Sequence, residues 1–377
     1  MKNLTKVLIL IFVTVFASAG CKGNTNKQGH YDPDEQYAVF MRSRGFAQTL
    51  NGILYFAERK GNRNLIYVDL DSGESMPLCA RPECLHNDDK CDAYLNYFES
   101  PELMIWNKRI FWINVGNELY SMRLDGTDRR FEKRLDKELF VNDRFGLTVI
   151  KNGRLYSCST IGSIKNGEPI SICTVYSEPI SGNGSSEIIY RGEASWMYTT
   201  GTISEDSLFF TIQKKESDVY HIEFYTFSLE TGKTDLLYEW SSAESYQDLS
   251  KENDTIRMSG KRGWINYEIG KRELTEYKIP GAENDSYCIL DNDRCVRSTS
   301  TTTFSCFLYN GALLYEGRIK TDGVDLEKNG RSPLGFYNGK VLYYLSNWEE
   351  GEADSIISVD PLNGEAKVLW RGENGGN

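Results

Sequence analysis

A β-propeller is the fold this chain predicts: an all-β ring of seven four-stranded blades in one domain, with six blades plus extra strands as the alternative. The first supporting observation is a recurring phrase, in which an Asn-Gly or similar turn precedes an apolar, aromatic strand and a short gap precedes L-Y-x-x-D-L and a glycine turn. Clear copies begin at Asn51-Gly52 (ILYF, then LIYVDLDSG), Asn107 (RIFWI, then ELYSMRLDG), Asn152-Gly153 (RLYSC) and Asn338-Gly339 (VLYYL, then IISVDPLNG). Weaker copies begin near Glu205-Asp206, Asn253-Asp254 and Asn292-Asp293. The second observation is the spacing of these copies, roughly 40 to 55 residues with room for four short alternating strands per unit. The third is composition. Aromatic residues make up 12% of the chain, which suits half-buried pleated surfaces, and only 9 prolines occur, too few for a fibrous or disordered chain.

The elements follow in chain order. Lys2 and Lys6 precede an apolar run, Val7 to Ala17 (VLILIFVTVFA), that is too short to anchor in a bilayer, and small residues follow it. Residues 1–20 therefore read as a secretion signal. Ser18-Ala19-Gly20-Cys21 resembles a lipoprotein cleavage box in which Cys21 is acylated, although Ser18 stands where such boxes carry Leu. Ala17-Ser18-Ala19 also fits ordinary signal peptidase, which would release the protein. The polar stretch 21–42 suits a flexible tether behind a lipidated Cys21. The expected address is the extracytoplasmic side of the cell membrane, with secretion as the alternative.

The propeller occupies residues 43–371, with blades at 43–78, 101–137, 145–191, 196–241, 245–280, 285–320 and 333–371. Within each blade, strand a leads through a tight turn to strand b, strand c carries L-Y-x-x-D-L, and strand d closes the unit. Tyr37 to Met41 is a candidate outer strand closing the ring on the last blade. Connections b-to-c and d-to-a share one face, and they are the long ones here: Ser159 to Ser171, Lys214 to Val219 and Ser346 to Asp354. Long loops on a rigid scaffold are where binding residues sit. Trp348, Trp196 and Tyr198 are the candidate ligand contacts, against the alternative that they pack between blades.

Between the first two blades, an insert at 79–91 reads C-x4-C-x-H-x4-C through Cys79, Cys84, His86 and Cys91. Three thiols and an imidazole form a possible tetrahedral zinc set with a structural role. Its spacing differs from the C-x2-C pairing of common zinc modules, and an exported chain favours disulfides, so a disulfide with one Cys pairing elsewhere and free thiols stay open. In each case the insert is expected to be held down on the long-loop face. Cys158 and Cys173, and Cys288, Cys295 and Cys306, fall on predicted strands where either disulfides or packed thiols fit.

Charge and motifs narrow the function classes. The net charge is −11, and no Lys/Arg cluster with interleaved aromatics interrupts it, which excludes nucleic acid as the expected partner. Histidine occurs at His30, His86 and His221 alone, and no G-x-S-x-G elbow, H-E-x-x-H helix or phosphate loop is present. Asp69/Asp71 and Asp291/Asp293 sit at hairpin turns, where Asp caps its own backbone. The expectation is a binding or scaffolding module for a protein, peptide or glycan, without catalytic residues. The alternative is a carbohydrate-active or other hydrolytic propeller whose carboxylates come from different blades.

The units Leu65 to Gly73 and Leu119 to Gly126 resemble those of TolB-type and low-density-lipoprotein-receptor-type propellers. With the Cys21 box and the Cys79 to Cys91 insert, the whole is similar to a group of bacterial surface lipoproteins. That resemblance implies the propeller fold and a binding or scaffolding habit, and it carries over no catalytic residue.

Overall fold

The computed structural model describes residues 46–49, 51–59, 62–95, 103–114, 116–136, 147–182, 184–279, 288–290, 293–300, 302–321, 324, 326, 329–347 and 354–372. Among these residues every regular element is a strand. They form seven antiparallel sheets in a ring, and each sheet is built from consecutive strands. The blades span 46–95, 103–134, 148–194, 197–242, 246–278, 288–318 and 329–371, close to the limits expected from the repeat. First strands touch between blades 1 and 2, 2 and 3, 4 and 5, 5 and 6, and 6 and 7, so strand a faces the centre and strand d lies at the rim.

Local sequence sets the turns. In the a-to-b turns Asn152-Gly153 and Asn338-Gly339, both residues have positive φ (51° and 70°; 49° and 73°), the backbone that a two-residue hairpin demands. The c-to-d turns share a second device. In Asp69 to Gly73 and Asp360 to Gly364, the glycine N–H donates to the Asp carbonyl at 2.9 Å. The Asp69 carboxylate accepts the N–H groups of Asp71 (3.1 Å) and Ser72 (2.7 Å). Bonds from the Ser72 N–H and hydroxyl hold the Asp69 carboxyl below its ordinary pKa, which fits the self-capping role expected of this turn.

Packing runs between blades. Leu54, Leu65 and Leu78 of blade 1 share one apolar cluster with Ile110, Trp112 and Met122 of blade 2. The ring closes in the same way. Tyr55 meets Trp370 edge-on at 5.3 Å between ring centroids, and Ile53, Val68 and Leu342 fill the same cluster. The Tyr337 hydroxyl donates to Asp71 at 3.3 Å across that seam. The signal, Cys21, the tether and the candidate closing strand Tyr37 to Met41 lie outside the described residues.

Two features differ from the sequence reading. Ser159 to Ser171 and Lys214 to Val219 are not irregular loops, because the strands keep pairing to Lys165 with Glu168 and to Glu216 with Val219. Blades 3 and 4 thus raise long ribbons above the ring; the tip residue Ile164 is 76% exposed. Strand d of blade 1 is also split. Ser75–Pro77 and Tyr94–Leu95 both pair with strand c, and the chain between them leaves the sheet.

Candidate metal centre and binding face

The excursion leaves and returns at one residue of strand c. Leu78 N–H donates to the Leu65 carbonyl and Leu65 N–H donates to the Ala93 carbonyl, each at 2.8 Å. The insert is therefore a loop tied off opposite Leu65, with Cys79 just beyond one side of its neck and Cys91 just inside the other. Its ligand atoms, from Cys79, Cys84, His86 and Cys91, all lie within 4.8 Å of one another, so the group could hold a metal ion. His86 Nδ1 is 3.3 Å from the Cys91 sulfur. A tetrahedral zinc with bonds of about 2.3 Å to sulfur sets its sulfurs about 3.8 Å apart. The four side chains stand close to that arrangement.

The local backbone is arranged around these side chains. His86 adopts φ 55°, a left-handed conformation uncommon for a residue with a side chain. Cys84 N–H donates to Arg81 O at 3.2 Å and Cys91 N–H to Asp88 O at 3.1 Å, forming a tight turn before each of these cysteines. Burial raises the Cys79 thiol, but N–H groups of Arg81 and Asp92 and the thiols of Cys91 and Cys84 outweigh it, so its pKa falls below the ordinary value. Burial pushes the Cys91 thiol up to about 12, with the Cys84 and Cys79 side chains adding to the rise. No disulfide joins Cys79, Cys84 or Cys91.

The insert sits at the rim, not on the long-loop face as expected. It rests on the c-to-d turn of blade 2, where Ala80 N–H reaches the Gly126 carbonyl at 3.4 Å. Gly126 has φ 78°, and a Cβ there would lie 3.0 Å from the Leu78 carbonyl group and the Cys79 nitrogen. Arg129, a few residues on, donates through one guanidinium nitrogen to the carbonyls of Cys91 (3.4 Å), Asp92 (3.2 Å) and Tyr94 (2.6 Å). Its guanidinium lies over the rings of Trp112 and Tyr120 at 5.5 and 5.7 Å. Sequence reasoning marked Gly126 only as a turn glycine and missed Arg129. A carbonyl contact 38 positions away leaves no spacing signal.

Register settles the strand cysteines. Cys158 stands opposite Val175 and Cys173 opposite Thr160, so the two are offset along the ribbon. Cys295 pairs with Phe307 and Cys306 with Val296, which places them on opposite faces of blade 6 and in different apolar clusters. Neither cross-strand pair has the geometry of a disulfide.

On the b-to-c and d-to-a face, Trp196 lies in the connection between blades 3 and 4 and is 37% exposed. Its ring packs 5.5 Å from Tyr220 and 6.4 Å from Tyr198. The Lys215 ammonium sits 5.5 Å over the Tyr220 ring. Two of the three expected contact residues are thus brought together, joined by Tyr220 and Lys215, while Trp348 lies outside the described residues. Tyr220 pairs across the ribbon with Ser242, which lines a cavity of about 150 Å³ between blades 4 and 5 with Trp240, Tyr246, Glu276 and Lys278. The Tyr246 hydroxyl is 3.3 Å from both Ser242 Oγ and Glu276 Oε1. Neither described histidine lines that cavity: His86 belongs to the insert, and His221 reaches the wall only through Ser241, with Nδ1 3.0 Å from Ser241 Oγ.

The chain matches no protein-family model and no curated protein. Among solved structures it is similar to an oligogalacturonate lyase from Vibrio parahaemolyticus, at 12% identity and a TM-score of 0.51 over 83% of this chain and 88% of that one. It is also similar to prolyl oligopeptidase B from Galerina marginata, at 10% identity and a TM-score of 0.52 over 90% of this chain and 52% of that one. The chain spans about half the length of that peptidase. At these identities the likeness shows the fold alone: this is a seven-bladed β-propeller.

Proposed function

We propose that the chain is an exported propeller, anchored to the membrane through an acylated Cys21, that binds a protein, peptide or glycan without turning it over. The exposed Trp196, edge-on to Tyr220 and tilted against Tyr198 between two projecting ribbons, carries this reading. Aromatic rings offer a large rigid contact area at small entropic cost, and a Trp left one-third in water at a blade junction is available for it. The insert is the stabilising part: Cys79, Cys84, His86 and Cys91 form a closed S3N set suited to structural zinc. The likeness to bacterial surface lipoproteins and the Cys21 box support the anchor.

The test is a fluorescence titration of the mature protein with panels of defined oligosaccharides and peptides. A saturable change that disappears in Trp196→Ala, at unchanged melting temperature, supports the reading. A ligand bound equally well by Trp196→Ala would move the site elsewhere. In cells, Cys21→Ser is expected to shift the protein from the membrane fraction to the soluble one, and retention in membranes would refute the anchor.

A carbohydrate-active propeller is the second reading. The cavity that places Glu276 beside the Tyr246 hydroxyl favours it, and one similar fold is an oligogalacturonate lyase. It requires turnover of a glycan that Glu276→Gln abolishes while the fold survives.

A further inference from the structure

We infer that Arg129 is the counter-ion of a metal centre in the Cys79 to Cys91 insert, so that blade 2 supplies the charge that a zinc-loaded blade 1 loop requires. This rests on the zinc reading of the insert and goes beyond it by assigning a residue outside the ligand set.

The reasoning starts from charge. Three thiolates and a neutral imidazole around Zn²⁺ carry a net charge of about −1, and half-buried at a blade junction that charge needs a nearby cation. Arg129 is the cation in place. It reaches the insert through the carbonyls of Cys91, Asp92 and Tyr94, and the aromatic rings of Trp112 and Tyr120 cover it. Guanidinium groups removed from water are rarely left without an anion. The ionisable residues Arg129 touches are Cys91 and Asp92, whose carbonyls it holds, and Tyr120, whose ring it covers. Of these, Asp92 is already engaged by Arg81 at 3.2 Å, and a Tyr hydroxyl is neutral near pH 7. What remains is the sulfur cluster. A disulfide or neutral thiols would leave Arg129 facing dipoles only, whereas a zinc-thiolate centre closes the balance at about zero net charge. Carbonyl bonds at the neck orient Arg129, and Gly126 lets the blade 2 turn approach closely enough to present it.

The experiment is chelator competition for zinc, with cobalt substitution as a spectroscopic check, on wild type, Arg129→Met and Arg129→Lys. Arg129→Met removes the charge and keeps the stem over the rings. Arg129→Lys keeps the charge and loses the fork. We expect Arg129→Met to weaken zinc about 10- to 100-fold, the scale of residues just outside a ligand set. Arg129→Lys should stay much closer to wild type. The thiolate-to-cobalt absorption should persist in both variants, showing that the ligands are intact. Wild-type affinity in Arg129→Met would overturn the counter-ion assignment. Equal losses in both variants would overturn it in favour of a purely positional role. Absence of zinc from wild type would instead defeat the metal reading itself, a result that involves neither variant.

Discussion

Gln213→Leu tests how blade 4 is held to blade 5. Gln213 lies on strand b of blade 4, is fully buried, and grips the backbone of Tyr246 in blade 5 from both sides. Its Oε1 accepts the Tyr246 N–H at 2.9 Å. Its amide nitrogen donates to the Tyr246 carbonyl and to Thr211 Oγ1, the latter at 3.2 Å. Leu fills similar volume and can make neither backbone bond. An orphaned buried polar group costs about 1–3 kcal/mol, so losing the partner of both the N–H and the C=O predicts a loss of about 2–6 kcal/mol. Thr211→Val, which removes only the hydroxyl contact, should cost about 1 kcal/mol. The assay is urea denaturation, with the shift read in the midpoint at constant m-value. If Gln213→Leu falls within about 1 kcal/mol of wild type, the Tyr246 backbone has other partners and the two-sided grip is not what fixes blade 4 to blade 5.

Four further outcomes are expected. His86→Ala should abolish stoichiometric zinc, measured by mass spectrometry on protein purified under reducing, anaerobic conditions; full retention would exclude the imidazole as a ligand. Gly126→Ala forces a Cβ onto a φ of 78° and against the Leu78 carbonyl, and should cost about 1–2 kcal/mol in a thermal melt of the zinc-loaded protein. Chelation of zinc-loaded protein should raise hydrogen exchange at the Leu65 amide, whose acceptor Ala93 lies at the neck of the insert, while blade 4 amides stay protected; unchanged protection at Leu65 would separate the neck from the metal. Burial raises the Glu244 pKa, partly offset by the N–H groups of Arg262 and Lys261. The stability due to its neutral form is therefore present below the ordinary value of 4.5 and is lost as pH rises through the raised folded value. Glu244→Gln should flatten that decline in denaturation midpoints taken across the range, and a parallel decline in the variant would assign it to other groups.

The fold was legible because its signals are local. Asn-Gly turns, the Asp69 to Gly73 type of cap and alternating aromatic strands each act within a few residues, and repetition multiplies them into blade limits. The gathering of Cys79, Cys84, His86 and Cys91 was legible for the same reason, since they lie in one short stretch. Features that depend on where the chain goes in space were not. The insert was expected on the long-loop face because it follows blade 1, yet it interrupts strand d and rests on the c-to-d turn of its neighbour. Arg129 and Gln213 act through backbone groups of other blades, and backbone contacts impose no residue type at the far end. Ser159 to Ser171 read as a long loop, but only Asn166-Gly167, with φ 54° and 85°, form the turn, and cross-strand pairing runs up to it through Lys165 and Glu168.

A cross-link suits blade 1 because of how its outer strand is built. Strands b and c each run for 8 residues, Gly52–Arg59 and Asn62–Asp69, whereas strand d offers 3 in Ser75–Pro77 and 2 in Tyr94–Leu95. Ordinary pairing would cover the edge of strand c with a continuous ladder, but here both polar groups of Leu65 depend on the two ends of the excursion. Holding those ends together costs loop-closure entropy, and so short an insert has little apolar surface of its own to offset it. Cys91 is fully buried in the cluster that joins blades 1 and 2, while Leu85, between two of the ligands, is 81% exposed. Packing therefore secures the base of the insert and leaves its tip to be fixed by something else. A metal that binds Cys79 and Cys91 beside the neck and Cys84 and His86 nearer the tip would fix both at once, and Arg129 would tie the result to blade 2. On this physical picture a metal in the Cys3His set would act as a fastener for the split strand, a role separate from the ligand contact proposed for Trp196.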